Sequence, residues 1–255
     1  MQYDPIKDRL AESIKSFPAL RRYFYQALDL LLLRQRYVKA AIKHHFSDGM
    51  RFYDAGAGFC QYSDFVLKNY PNSRVLATDL KTDYLRQYSF AVGPHFSFKS
   101  ADLQVFRPRH RYNMAIAIDI LEHIEDDVSV LKNIHSALVP QGILIISTPS
   151  DTDPAAKFTA EHVRPGYDKS ELEAKLLASG FEILCSKYSY GFFGALSWRL
   201  MIKYPLTLWG KSKLWAPVLA LWYLLLLPAS QLLMKMDMLI TNPSGTGIII
   251  VASRK

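Results

Sequence analysis

Cysteine is nearly missing from this 255-residue chain. Cys60 and Cys185 are its two thiols, too few for a disulfide framework, so reduced, intracellular residence is the expectation. The opening stretch, MQYDPIKDRLAESIKSF, lacks the apolar core of a secretory signal, and export is not expected. No internal repeat or low-complexity tract appears, and the length suits one large domain or one domain with additions. Acidic residues are scarce toward the C-terminus. From Phe181 onward eight basic residues stand against Glu182 and Asp237, so this stretch carries six of the eight net positive charges. Its lysines are spread among leucines, without the dense polar-basic face that tracks phosphates, which argues against nucleic acid and toward an anionic membrane surface.

What is present is alternation. Residues 4–46 read as two helices separated near Pro18, the second running from about Leu20 to His44. Short β-rich runs then alternate with helical ones: RFYDAG, a helix from about Tyr62 to Tyr70, RVLATD, a helix from Asp83, and a weak strand near Phe96 to Lys99. MAIAID, a helix from Asp126 to Leu138, and ILIIST (reached through Pro140-Gln141-Gly142) follow. Then come a helix from Lys169 to Ser179, FEILCS, and GIIIVAS at the end. Such alternation implies parallel strands joined by crossover helices. Ile143 to Ser147 is apolar on both faces, as a sheet covered on both sides requires.

The segment Asp54-Ala55-Gly56-Ala57-Gly58-Phe59-Cys60 follows a strand and precedes a helix. Gly56 and Gly58 allow a sharp turn and close approach of a ligand. The dinucleotide fingerprint needs a third glycine where Gln61 stands, which opposes a nicotinamide-dependent oxidoreductase. Asp54 suits a cationic ligand group better than a pyrophosphate. Asp79 ends the second strand, where a carboxylate can accept both ribose hydroxyls. Asp102 lies just after the third strand and Asp119 ends the fourth, so four acids fall at or near the strand ends where open α/β sheets bind ligands. Any one of them can be a helix cap or solvated turn; the four in register are harder to dismiss.

DAGAGFC, TDL at Thr78–Leu80, SADL at Ser100–Leu103 and DILEHIED at Asp119–Asp126 resemble the motifs of class I S-adenosylmethionine-dependent methyltransferases. The resemblance covers about Met50 to Ser186, and DILEHIED is similar to the ubiquinone and menaquinone biosynthesis methyltransferases. It implies a Rossmann-like, mostly parallel seven-stranded α/β sheet with helices on both faces, N-terminal helices, and a hydrophobic helical insertion before the last strand. It further implies S-adenosyl-L-methionine as cofactor. Asp54, Gly56 and Gly58 would hold its methionine end, Asp79 and Leu80 its ribose side, and Asp102 with Leu103 its adenine, with Asp119 beside the acceptor pocket. Cys60 stands where the family often has a third glycine; a buried thiol is its expected role.

A base helps transfer to a phenol or an acidic carbon. His162, in AEHVRPGYD with Glu161 and Tyr167 as polar neighbours, and His123, in LEHIE, are the candidates. His162 can equally be a surface loop residue, and His123 can serve a helix start. Glu122 with either histidine matches no strong metal motif, and no metal site is expected. O-methylation stands slightly ahead of C-methylation on the strength of His162.

The domain reading is 1–48 N-terminal helical, 49–187 with 247–255 the cofactor-binding domain, and 188–246 an insertion. That insertion holds all four tryptophans, and Leu214–Met234 has no charged residue. Lys211, Lys213 and Lys235 flank it, a membrane-interface signature. A single crossing would leave the last strand on the wrong side of the bilayer. The insertion therefore dips in and returns (with Phe192–Leu208 as partner), lies flat, caps a greasy pocket, or forms a dimer face. Contact through 192–235, a lipophilic small-molecule acceptor, and a cytoplasmic, inner-face peripheral location are the expectation. The rivals are a soluble enzyme with a polar acceptor, and a non-catalytic cofactor-binding module of a membrane complex.

Overall fold

The computed structural model describes residues 18–80, 93–152 and 163–255. Two helices, α1 (Pro18–Leu31) and α2 (Leu33–His45), lead into β1 (Arg51–Ala55), α3 (Gln61–Asn69), β2 (Arg74–Asp79), β3 (Phe96–Ser100) and β4 (Tyr112–Ile118). α4 (Asp127–Ala137), β5 (Leu138–Pro149), α5 (Lys169–Ala178) and β6 (Phe181–Ser189) follow. Then come α6 (Phe192–Trp198), a π-helical turn (Arg199–Lys203), α7 (Tyr204–Lys211), α8 (Ala216–Leu239) and β7 (Gly247–Arg254). The expected helices over residues 4–17 and from Asp83 lie outside the described residues, as does His162.

The seven strands form one sheet in the order β3-β2-β1-β4-β5-β7-β6. All neighbours are parallel except β7, which runs antiparallel to β5 and β6. Both faces are buried, as the doubly apolar runs require. Along β4, Met114 and Ile116 join a core with α2 and α3, while Ala115 and Ala117 join the opposite core with α4 and α5. Asp126 caps α4 by accepting from the Ser129 amide at 2.9 Å, and Asp168 caps α5 by accepting from Glu171 at 2.9 Å.

The expected single helix from Leu20 to His44 is two. Leu32 is extended (φ −110°, ψ 113°), although nothing in its sequence breaks a helix. The break costs little hydrogen bonding, because the Leu32 amide still donates to Leu28 and its carbonyl accepts from Gln35. It lets Leu33 bury completely against the sheet-side core; tertiary packing overrides propensity.

The insertion folds back on itself as a helical hairpin. Its N-terminal arm, α6 through α7, lies antiparallel to α8. Asp237 accepts from the Gly194 amide at 2.9 Å, Ser197 and Ser230 share a 2.8 Å hydrogen bond, and Trp222 and Tyr223 donate to the Leu200 and Met201 carbonyls at 2.8 and 2.9 Å. Those last two bonds reach the π-helical turn. The chain leaves the sheet at Ser189 and returns at Gly247, its direct partner across the β6–β7 ladder. The N-terminal helices and the insertion are packed on each other: Tyr37 donates to Asp237, and Gln231 links Arg36 to the Leu30 carbonyl.

Candidate cofactor and acceptor site

The loop after β1 crosses the end of β2, with the amides of Gly56 and Ala57 both donating to the Thr78 carbonyl at 2.9 Å. Gly56 has φ +78°, and a Cβ there would stand 2.6 Å from Ile120, so a side chain is excluded. Gly58 has φ +48°, and a Cβ there would meet nothing within 4 Å; the loop faces open space where a ligand can approach the backbone. The Gly58 amide donates to the Asp79 carboxylate at 2.9 Å. Cys60 is left-handed (φ 58°) and buried, a backbone conformation that a glycine adopts with less strain. Burial holds its thiol well above the ordinary value, with Asp54 and Asp79 adding to the effect. It is a packing residue, as expected.

Asp54 is buried in β1 and accepts from the Ser63 hydroxyl at 2.7 Å. Burial pushes its carboxyl up to about 7, Asp79 adding to the effect and Ser63 opposing it. A carboxylate so deprived of water favours a cationic partner. Asp79 and Leu80 are at the mouth of the same loop, Leu80 being 72% exposed. The residues present therefore fit the ammonium and ribose ends of S-adenosylmethionine. Leu103 is buried in the core with α4, and exposed Asp102 accepts from the Gln104 amide at 2.9 Å as a turn cap. Of that pair only Asp102 reaches solvent; Leu80 is the exposed apolar surface nearby.

Two helices close the site from above, which the sequence reading left open. Tyr25 on α1 donates to the Phe59 carbonyl of the glycine loop, and the Phe24 and Phe59 rings meet edge to face at 5.2 Å. On α2, Arg34 forms an ion pair with Asp119, whose own backbone is left-handed at φ 49°. Burial alone would weaken the Arg34 charge, but Asp119 and the hydroxyls of Tyr62 and Tyr190 hold it protonated above the usual arginine value. Arg34 was missed because no motif marks it; it is one arginine on an amphipathic helix until the fold brings Asp119 to it.

Glu122 follows in the 3₁₀ turn Leu121–His123. It is buried, with one carboxyl oxygen accepting from Thr148 at 3.0 Å. His123 is half-buried in that turn; the helix start it was expected to serve is capped by Asp126. Tyr167, expected beside His162, is committed elsewhere: it donates to Asp127 at 2.6 Å and accepts from Arg164. Asp127 also binds Lys175, so this network ties the loop after β5 to α4. Among the described residues no group of three or more His, Cys, Asp or Glu side chains is placed to hold a metal.

Residues 53–144 match the family model described as a methyltransferase domain. Trans-aconitate 2-methyltransferase of Enterobacter sp. (strain 638) is 29% identical over 100 residues, 39% of each chain. Malonyl-[acyl-carrier protein] O-methyltransferase 2 of Ilyobacter polytropus is 20% identical over 122 residues, 43% of this chain and 47% of the relative. The matched segments thus span less than half of either relative. Among solved structures, phosphoethanolamine N-methyltransferase 2 of Haemonchus contortus with S-adenosyl-L-methionine has a TM-score of 0.60 at 17% identity, over 84% of this chain and 51% of that one. An S-adenosylmethionine-dependent methyltransferase from Mesorhizobium loti has 0.54 at 20%, over 84% and 96%. The [4+2]-cyclase SpnF shares the fold equally well, with 0.60 at 16% over 86% and 80%. Residues 53–144 are thus similar to a methyltransferase domain, and the fold is one that S-adenosylmethionine-dependent methyltransferases share. The cyclase is a reminder that chemistry must be argued from the site.

Proposed function

We propose that the chain methylates a lipophilic small molecule (a quinone precursor, a lipid or a polyketide-like phenol) while docked on the cytoplasmic face of a membrane. The observation that carries this reading is the inverted polarity of α8. Val218, Leu221, Leu225, Leu232 and Leu239 share one helix face and are 47–75% exposed, whereas Ser230 and Asp237, on the opposite face, are fully buried. A helix of a water-soluble domain does the reverse. Fully burying one such side chain stabilises by about 1.5–3 kcal/mol, so these five leave roughly 5–9 kcal/mol to be gained in an apolar medium. That magnitude suits reversible surface docking.

The 24 residues of α8, at about 1.5 Å each, would reach across a bilayer core of about 30 Å. Three facts support a flat orientation instead. Lipid-seeking residues occupy one face, the antiparallel arm carries exposed Arg199 and Lys203 in mid-helix, and Ser189 and Gly247 are neighbours. On α1, Leu20, Tyr23 and Leu30 are exposed on one side and extend the apolar surface. Since α1 also covers the glycine loop, a greasy acceptor would enter from the bilayer without crossing water.

When bound, S-adenosylmethionine supplies a methyl group already activated on sulfur. The chain's task is to align the acceptor and exclude water. Asp54 would hold the ammonium, Gly58 and Asp79 the ribose side, and Leu80 with Asp102 the adenine edge. Asp119, fixed by Arg34, forms the border with the acceptor pocket, and His123 and His162 remain candidates for handling its proton.

Trp198, Trp209, Trp215 and Trp222 all lie in the hairpin, so intrinsic tryptophan fluorescence reports on it alone. Vesicles of phosphatidylcholine and phosphatidylglycerol with brominated acyl chains should quench it, and methyl-labelled cofactor with total membrane extract should put label into the organic phase. Unquenched fluorescence refutes the docking, and label confined to the aqueous phase refutes the lipophilic acceptor. One observation favours a second reading, a dimer. Val218, Leu225, Leu232 and Leu239 recur every seven residues, a coiled-coil spacing. Pro228 and Lys235 occupy the intervening positions and weaken that seam. A dimer in sedimentation, without vesicle binding, would establish it.

A further inference from the structure

The Glu122 carboxyl has no place in the scaffold that explains it. It caps no helix, and among the described residues it forms no ion pair within 4 Å. Its Oε2 accepts from Thr148 at the end of β5, while its buried Oε1 has no hydrogen-bond partner among the described residues. The backbone around it is fixed, because the Glu122 carbonyl accepts from the amides of Val163 and Arg164 at 3.0 and 3.4 Å. Its charged neighbours are Asp119 at the end of β4 and Arg34 reaching in from α2. A buried oxygen left unsatisfied at the carboxyl end of two central strands lies where this kind of sheet binds its ligands.

We propose that Glu122 Oε1 touches the acceptor and takes its proton as the methyl group arrives, a role that rests on the methyltransferase reading above. The acceptor's X–H bond breaks and its proton passes to Oε1. The acceptor's electron pair forms the new X–CH3 bond, and the pair of the broken S–CH3 bond stays on sulfur. One positive and one negative charge enter, and a neutral thioether and a neutral carboxylic acid result. A dry pocket favours that cancellation. It also favours the proton once there: burial, with Asp119 adding to it, pushes the carboxyl up to about 8, against the opposing pull of Thr148 and Arg34. A base whose conjugate acid ionises near working pH is well matched to proton transfer. Asp119 is poorly placed for the same task, because Arg34 keeps it charged and occupied.

The test uses the full chain, methyl-labelled cofactor and total membrane lipid extract as acceptor. Glu122→Gln keeps the shape and the Thr148 contact, so cofactor affinity measured by calorimetry should be unchanged while turnover falls by about 10²–10⁴-fold. The wild-type rate should rise with pH through about 8 and level off above it, and the variant should lose that limb. Independently of turnover, carbon NMR of protein labelled at the glutamate carboxyl should show one signal titrating near pH 8, absent from the variant. A variant with wild-type rate and profile overturns the assignment while leaving the methyltransferase reading intact. So does a Glu122 signal titrating with ordinary glutamates near about 4.3. No transfer by the wild type to any fraction overturns the parent reading, and this assignment with it.

Discussion

At the scale of single residues, the site depends on carboxylates held in unequal environments. In the proposed function Asp79 does two jobs, since it holds the ribose side and already accepts from the Gly58 amide. Asp79→Ala should therefore loosen the loop as well as remove the ligand contact. Charge-assisted hydrogen bonds contribute about 1.5–3 kcal/mol each, so calorimetry should find cofactor affinity reduced at least tenfold. Undiminished affinity would remove Asp79 from the site. Asp54 gives a pH dependence whose sign is fixed. Its carboxyl sits at about 7 in the free protein, and a cationic ligand group needs it ionised. Cofactor binding should tighten as pH rises through 7, by at most tenfold per pH unit for one proton, and Asp54→Asn should bind weakly with no such slope.

At the scale of the element, α8 separates what holds the hairpin together from what it offers outward. Leu225 is 63% exposed and Ser230 fully buried. Leu225→Glu should shift folding stability by no more than about 0.5 kcal/mol yet abolish sedimentation with vesicles. Ser230→Val leaves the buried Ser197 hydroxyl without its partner and should cost about 1–3 kcal/mol in thermal unfolding, with vesicle binding retained. The opposite pattern would mean that the outward face is the structural one. Excising the hairpin is a poorer experiment, because α2 leans on it through Tyr37 and Asp237, 200 residues apart.

At the scale of the whole molecule, two buried acids make the ligand-free protein sensitive to alkali. Asp54 and Glu122 have folded-state values of about 7 and about 8, both raised above their unfolded values near about 4. A raised value means that the folded state holds protons the unfolded state releases. Their contribution is full below the unfolded values and is lost as pH rises through 7 to 8. Denaturant midpoints should fall as pH rises from about 4 to 8 and level off above that, and the double variant Asp54→Asn, Glu122→Gln should fall less. Saturating cofactor should offset the Asp54 part.

Much of this was legible in the sequence for a physical reason: local periodicity and backbone chemistry are written residue by residue. The doubly apolar run at Ile143–Ile146 determined a strand covered on both faces, and Gly56 and Gly58 determined a tight turn of positive φ after β1. Asp54 and Asp79 marked acids beside that turn, and the charge-free Leu214–Met234 marked an apolar helix. Contacts between distant segments were not legible. Only the tertiary structure decided that Leu32 breaks the N-terminal helix, that Arg34 meets Asp119, and that Leu103 faces the core while Asp102 faces out. Composition made α8 apolar without saying which side faces outward. That was decided by where Ser230 and Asp237 find hydrogen-bond partners, since a buried polar group must be satisfied and an exposed leucine need not be.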